Sequence, residues 1–268
     1  MGHDGTVDIP ETGSTRTAES DVPADHEARA RLYPRVTSFR SRRGSLTPAQ
    51  QQNWETLWPI IGRDATVSAS ADTGGESLDL RAWFGREAPL IMEIGCGTGT
   101  ATAAMAAAEP EFDVLAVEVY KPGLAQLLGL IARGDIDNIR IIRGDAVVVL
   151  REMLAPASLA GVRIFFPDPW PKARHHKRRL IQPGTLASVA DVVADDGVLH
   201  IATDHAEYAE WIAEVLAEQD VFVPLDGPAP FSLERPTTKF EGRADREGRD
   251  VTEFVLRRVA RDSAGGPR

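Results

Sequence analysis

From residue 90 onward the chain alternates short runs of β-branched and apolar residues with longer stretches rich in Ala and Leu. Alternation of this kind predicts parallel strands wrapped by helices. The runs 90–94, 114–119, 139–143, 162–166 and 198–202 read as strands, and 101–108, 121–133, 147–154, 184–193 and 205–218 as the helices between and after them. Two further apolar segments, 221–224 and 251–259, follow the last helix too closely for another right-handed crossover. They predict an antiparallel hairpin. The expected fold class is therefore α/β, with a mostly parallel seven-stranded sheet, helices on both faces and a C-terminal antiparallel hairpin.

Composition changes this picture at the ends. Residues 1–31 are dominated by Asp, Glu, Thr, Ser, Pro and Gly, too polar to offset their ordering entropy by burial, so a disordered acidic arm is expected. Residues 262–268 read as a flexible tail, which leaves one folded domain at 32–261. Inside it, 225–250 is a long polar loop, a length more often functional than idle in a compact domain. The formal net charge of -10 excludes a protein that coats nucleic acid through its overall charge. Any RNA site must be a local basic patch. The single Cys96 cannot form an intrachain disulfide, and neither a membrane-length apolar stretch nor a signal peptide is legible, so a cytoplasmic protein is expected. Nothing in the sequence separates a monomer from a homodimer.

Candidate chemistry begins at Leu90-Ile91-Met92-Glu93-Ile94-Gly95-Cys96-Gly97-Thr98-Gly99, a strand that runs into a glycine-rich turn ahead of a helix. Gly95, Gly97 and Gly99 are spaced G-x-G-x-G, whereas the dinucleotide fingerprint G-x-G-x-x-G needs its third glycine where Thr100 stands. This spacing favours S-adenosylmethionine over a nicotinamide cofactor. A tight turn alone also explains glycines through positive φ. Carboxylates at the carboxyl ends of successive strands, where open α/β sheets bind ligands, add weight. Glu118 can accept both ribose hydroxyls of an adenosine, Asp145 the adenine amino group, and Glu93 can steer the turn or the methionine ammonium. Each alone reads more readily as a solvated loop residue or a helix N-cap, and Asp145 before Ala146-Val147 makes a reasonable N-cap. The ordered set favours a cofactor.

After the fourth predicted strand, Phe166-Pro167-Asp168-Pro169-Trp170-Pro171-Lys172 delivers a carboxylate between two prolines, which stiffen it. Lys172, Arg174, Lys177, Arg178 and Arg179 follow as a dense basic cluster in an acidic protein, and phosphate is its natural counterpart. His175 and His176 within it lack a third ligand at metal spacing, so no metal is expected.

These motifs, with Ala202-Thr203-Asp204, Arg235-Pro236-x-Thr238-Lys239-Phe240-Glu241 and Ser38-Phe39-Arg40-x-Arg42-x-Gly44-x-Leu46-Thr47-x-x-Gln50, resemble the bacterial tRNA (guanine-N7-)-methyltransferase family over nearly all of 35–258. The resemblance implies a Rossmann-like class I methyltransferase fold and methyl transfer from S-adenosylmethionine to a guanine N7 in the variable loop of tRNA. It implies cofactor contacts from Glu93, Gly95, Gly97, Gly99, Glu118, Asp145 and Asp168, with Asp168 as the active-site acid group. Lys172, Asp204, Thr238, Lys239, Phe240 and Glu241 would hold the substrate. Arg40, Arg42, Arg43, Arg174, Lys177, Arg178 and Arg179 would grip phosphates. Where the family pattern has Arg-Gly and then Gly-His, this chain has Arg243-Ala244 and Gly248-Arg249. Other readings stay open from the residues alone: a methyltransferase acting on another RNA or a small molecule, a noncatalytic RNA-binding module, or an NAD-dependent oxidoreductase.

Overall fold

Why an apolar run becomes a buried parallel strand is visible at Leu90–Ile94, where all five residues are shielded because helices cover both sheet faces. The computed structural model describes residue 39 and residues 44–66, 77–236 and 250–261. In chain order these form α1 (Pro48–Ile61), β1 (Gly62–Asp64), α2 (Leu80–Phe84), β2 (Leu90–Ile94), α3 (Thr100–Ala108), β3 (Asp113–Glu118), α4 (Lys121–Gly134), β4 (Ile139–Arg143), α5 (Ala146–Val148), β5 (Leu159–Phe165), α6 (Pro183–Val192), β6 (Val193–Thr203), α7 (Ala206–Ala217), β7 (Phe222–Pro224) and β8 (Thr252–Arg258). The sheet order is β1-β4-β3-β2-β5-β6-β8-β7. Strands β1 to β6 run parallel, and β8 pairs antiparallel with both β6 and β7.

Among the described residues the sheet has eight strands where the hydrophobic pattern predicts seven. The extra one, β1, pairs with β4, and its Arg63 and Asp64 are exposed, so it carries no apolar signature. The predicted hairpin is present with β8 on the inside, seated against β6. The predicted helix 147–154 starts as α5 and widens into a π-helical turn over Val149–Met153.

One face of the sheet packs on α1, α3 and α4 through Ile61, Ala103, Leu124, Leu127, Leu128 and Ile131. The other packs on α5, α6 and α7 through Val147, Leu186, Val189, Tyr208 and Ile212. Helix α1 starts where Thr47 and Gln50 cap each other reciprocally, with Pro48 in the first turn. This capping box gives the Thr47-x-x-Gln50 half of the N-terminal motif a local structural purpose. The arm 1–31 and the tail 262–268, as well as most of the polar loop's second half at 237–249, lie outside the described residues.

Candidate active site

Strand β2 has β3 and β4 on one side and β5 and β6 on the other. The strand order reverses there, which opens a crevice at its carboxyl end. The glycine turn stands at this point. Gly95, Gly97 and Gly99 all adopt left-handed φ, at 81°, 59° and 71°. Torsion alone therefore accounts for all three, and the space around them separates their roles. A Cβ on Gly95 would meet nothing within 4 Å, and on Gly97 only the Gly95 carbonyl at 4.0 Å, so both front open space. At Gly99 it would lie 2.5 Å from Leu127 Cβ, a packing demand of α4. Helix α4 also presses on the turn from below, since a Cβ on Gly123 would sit 2.2 Å from the Gly97 carbonyl oxygen.

Glu118 at the end of β3 is tied to the same turn. Its Oε2 accepts from Gly97 N–H at 3.0 Å, and its Oε1 from Val119 and Tyr120 N–H at 2.6 and 3.0 Å. Three backbone donors thus orient a carboxylate that has about four acceptor positions. Asp145, after β4, is buried and caps α5, its Oδ1 accepting from Val147 N–H at 3.0 Å. Glu93 lies inside β2, only 4% exposed, in register with Ala116 on β3 and Arg163 on β5. Its Oε2 is buried without a hydrogen-bond partner. Burial pushes its carboxyl up to about 7, against the opposing pull of the Thr102 hydroxyl and the Arg163 guanidinium.

Asp168 follows β5 in a turn bounded by two non-glycine residues in left-handed geometry, Phe166 at φ 50° and Trp170 at φ 46°. Such strain costs about 1–3 kcal/mol per residue and persists only where the surroundings enforce it. Here the surroundings are visible. Phe166 N–H donates to the Ala202 carbonyl at 2.8 Å, and Trp170 is buried at 4% exposure with the Arg178 guanidinium 5.0 Å from its ring. Asp168 itself is half-buried, and its charge helps burial push the Tyr208 hydroxyl up to about 12. Asp204 is half-buried in the turn between β6 and α7.

The basic cluster divides. Its residues Ala173–Arg178 form a 3₁₀ turn; Lys172 just before it, and Arg174 and Lys177 within it, are exposed. Arg179 is instead 2% exposed. Its Nε donates to the Pro169 carbonyl at 3.0 Å, its Nη2 pairs with Glu207 Oε1 at 2.9 Å, and its plane covers the Tyr208 and Trp211 rings. In this structure Arg179 is thus turned inward, with its Nε and Nη2 bonded within the protein. The residues Arg40, Arg42, Arg43, Thr238, Lys239, Phe240 and Glu241 lie outside the described residues.

Sequence reasoning missed a polar row on the β2 face that also carries Glu93. Arg163 on β5 donates to Glu109 at 3.0 Å and to the Ser232 carbonyl at 3.0 Å. The next strand places the fully buried His200 in register with it, 2.8 Å from Glu253, which also pairs with Arg235 at 2.5 Å. These contacts pin residues 232–235, the lead into the undescribed part of the polar loop, to the sheet. The signals were Arg163 and His200, each a lone polar residue in an apolar run, and their partners are far off in sequence. Among the described residues no cluster of side chains could hold a metal ion, and no helix is long and apolar enough to cross a membrane.

A family model described as "Putative methyltransferase" matches residues 87–254. The chain is similar to the tRNA (guanine-N(7)-)-methyltransferase of Nocardia farcinica, 55% identical over 94% of this chain and 94% of that one. The protein of the same name from Mycolicibacterium paratuberculosis is 52% identical over 96% of this chain and 100% of its own length. The one from Rhodococcus jostii is 54% identical over 94% and 91%.

Proposed function

The chain belongs to the tRNA (guanine-N(7)-)-methyltransferase family, and from that premise we propose that it methylates N7 of a guanine in the variable loop of tRNA, in the cytoplasm, using S-adenosylmethionine. The observation that carries this reading is the crevice at the end of β2, with the glycine turn and Glu118 on one side and Asp168 on the other. The residues there fit the cofactor: Gly95 and Gly97 front open space, and the buried Glu93 Oε2 lacks a partner that an ammonium group could supply. Glu93, Glu118 and Asp145 would hold it, through the methionine ammonium, the ribose hydroxyls and the adenine amino group respectively. When bound it supplies an electrophilic methyl group on a sulfonium.

Guanine N7 carries an unprotonated lone pair, so no base is needed to expose it. The chain's own work is alignment, the source of large effective molarities. Asp168 orients the guanine by accepting from its N1 or N2 hydrogens and offsets the positive charge that grows on the base, an electrostatic task. The strained, braced turn around Asp168 suits that task, because a fixed carboxylate does not reorganise during the reaction. Lys172, Arg174 and Lys177 meet phosphates, giving salt-dependent affinity without base readout. The test is to incubate the purified protein with unmodified tRNA and methyl-labelled S-adenosylmethionine, then digest the RNA. Label in 7-methylguanosine from the variable loop is expected; label in any other nucleoside, or none, would overturn the reading.

A further inference from the structure

We propose that Arg179 is a positioning residue, an internal brace that fixes the Asp168 turn against the Asp204 turn. One guanidinium touches both: Nε donates to the carbonyl of Pro169, the residue after Asp168, and Nη2 pairs with Glu207, three residues after Asp204. The surroundings are built for it. The side chain is 1% exposed, and its Cζ lies 5.1 Å from the ring centres of both Tyr208 and Trp211, the first-turn and second-turn aromatics of α7. Those aromatics are themselves anchored to the chain just beyond Arg179, with Tyr208 Oη accepting from Ile181 N–H at 3.1 Å and Trp211 Nε1 donating to the Ile181 carbonyl at 2.8 Å. Gln182 Nε2 donates to the Arg179 carbonyl at 2.8 Å and closes the corner.

The geometry needs a planar fork with donors in two directions, which arginine has and lysine lacks. It also explains how Phe166 and Trp170 keep left-handed torsions without glycine: the turn between them is tied at Pro169 from outside. The basic run 172–179 is thus two devices. Its exposed members face solvent, and its last member faces inward.

This role rests on the function proposed above, and the experiment separates the two. Arg179→Lys and Glu207→Gln are compared with the wild type in methyl transfer to tRNA, in the salt dependence of tRNA affinity, and in amide exchange at Asp168 and Trp170. The brace predicts that Arg179→Lys lowers kcat by roughly 10-fold or more while KM for tRNA and the salt slope stay put. Glu207→Gln should act in the same direction, and the double variant should add little to Arg179→Lys alone. Exchange at Asp168 and Trp170 should quicken in both single variants. A raised KM for tRNA with unchanged kcat in Arg179→Lys, together with a salt slope reduced by about one in Arg179→Gln, which removes the charge, would make Arg179 a phosphate ligand and overturn the brace. If Arg179→Lys does not fold, the half-exposed Glu207 carries the test alone. If the wild type methylates no tRNA, the functional reading falls, and exchange still judges the brace: unchanged exchange at both amides in Glu207→Gln overturns it.

Discussion

The two sides of the crevice are held by different means. On the β2–β3 side the shape is set by backbone: three left-handed glycines, a helix that meets the turn at Gly123, and a Glu118 carboxylate held by three main-chain N–H groups. On the β5–β6 side it is set by side chains reaching between elements: Arg179 to Pro169 and Glu207, Arg178 over Trp170, Arg235 to Glu253. The backbone cradle depends on left-handed glycines and on the one carboxylate that its N–H groups orient. The turn that carries Asp168 is held by those side-chain braces together with one backbone bond, from Phe166 N–H to the Ala202 carbonyl.

The comparison can be broken most sharply at Asp168. Asp168→Ala should lower single-turnover methyl transfer by about 10²- to 10³-fold while cofactor and tRNA affinities stay near wild type; near-normal turnover would remove Asp168 from the reaction. The next largest effect is expected on the backbone side. Gly123→Ala drives a methyl toward the Gly97 carbonyl oxygen and should shift the turn, with methyl transfer falling by roughly 10²-fold and S-adenosylmethionine binding weakened in calorimetry. Unchanged cofactor affinity would show that α4 does not set the turn.

Glu93→Gln sharpens the comparison through sign. A carboxyl raised to about 7 inside the fold binds more protons than the unfolded chain between its ordinary value of 4.5 and about 7, so its contribution to stability declines across that window as pH rises. At pH 8 the amide removes a buried charge, and the cofactor-free protein should melt higher, by up to about 3 kcal/mol in stability. The same variant should bind S-adenosylmethionine about 10-fold more weakly, because the ammonium loses its counter-charge. A lower melting point at pH 8 would sink this account. The smallest effects belong to the exposed cations. Arg174→Ala and Lys177→Ala should each weaken tRNA binding a few-fold, alike for different tRNAs, and flatten the salt slope by about one per charge. Loss of discrimination between tRNAs would instead give them a role in base readout.

Along the chain, what was legible follows a physical rule. The parallel core could be read because buried strands leave continuous apolar runs and their helices leave a different period, both local properties. Strand β1 could not, because three mostly exposed residues that pair only with β4 look like a loop. The glycine turn was legible because three of its positions take left-handed φ, which favours glycine. The placement of Arg163, His200 and Arg235 was not, since each owes its burial to a partner between 18 and 54 residues away.

The sequence by itself determined the α/β class, the position of the glycine turn, and the ordered carboxylates Glu118, Asp145 and Asp168, because these depend on backbone period and local sterics. Only the tertiary structure decided which cations of the basic run face outward. Side-chain direction depends on which strands end side by side, and there it turned Arg179 inward to Pro169 and Glu207 while leaving Arg174 and Lys177 in solvent.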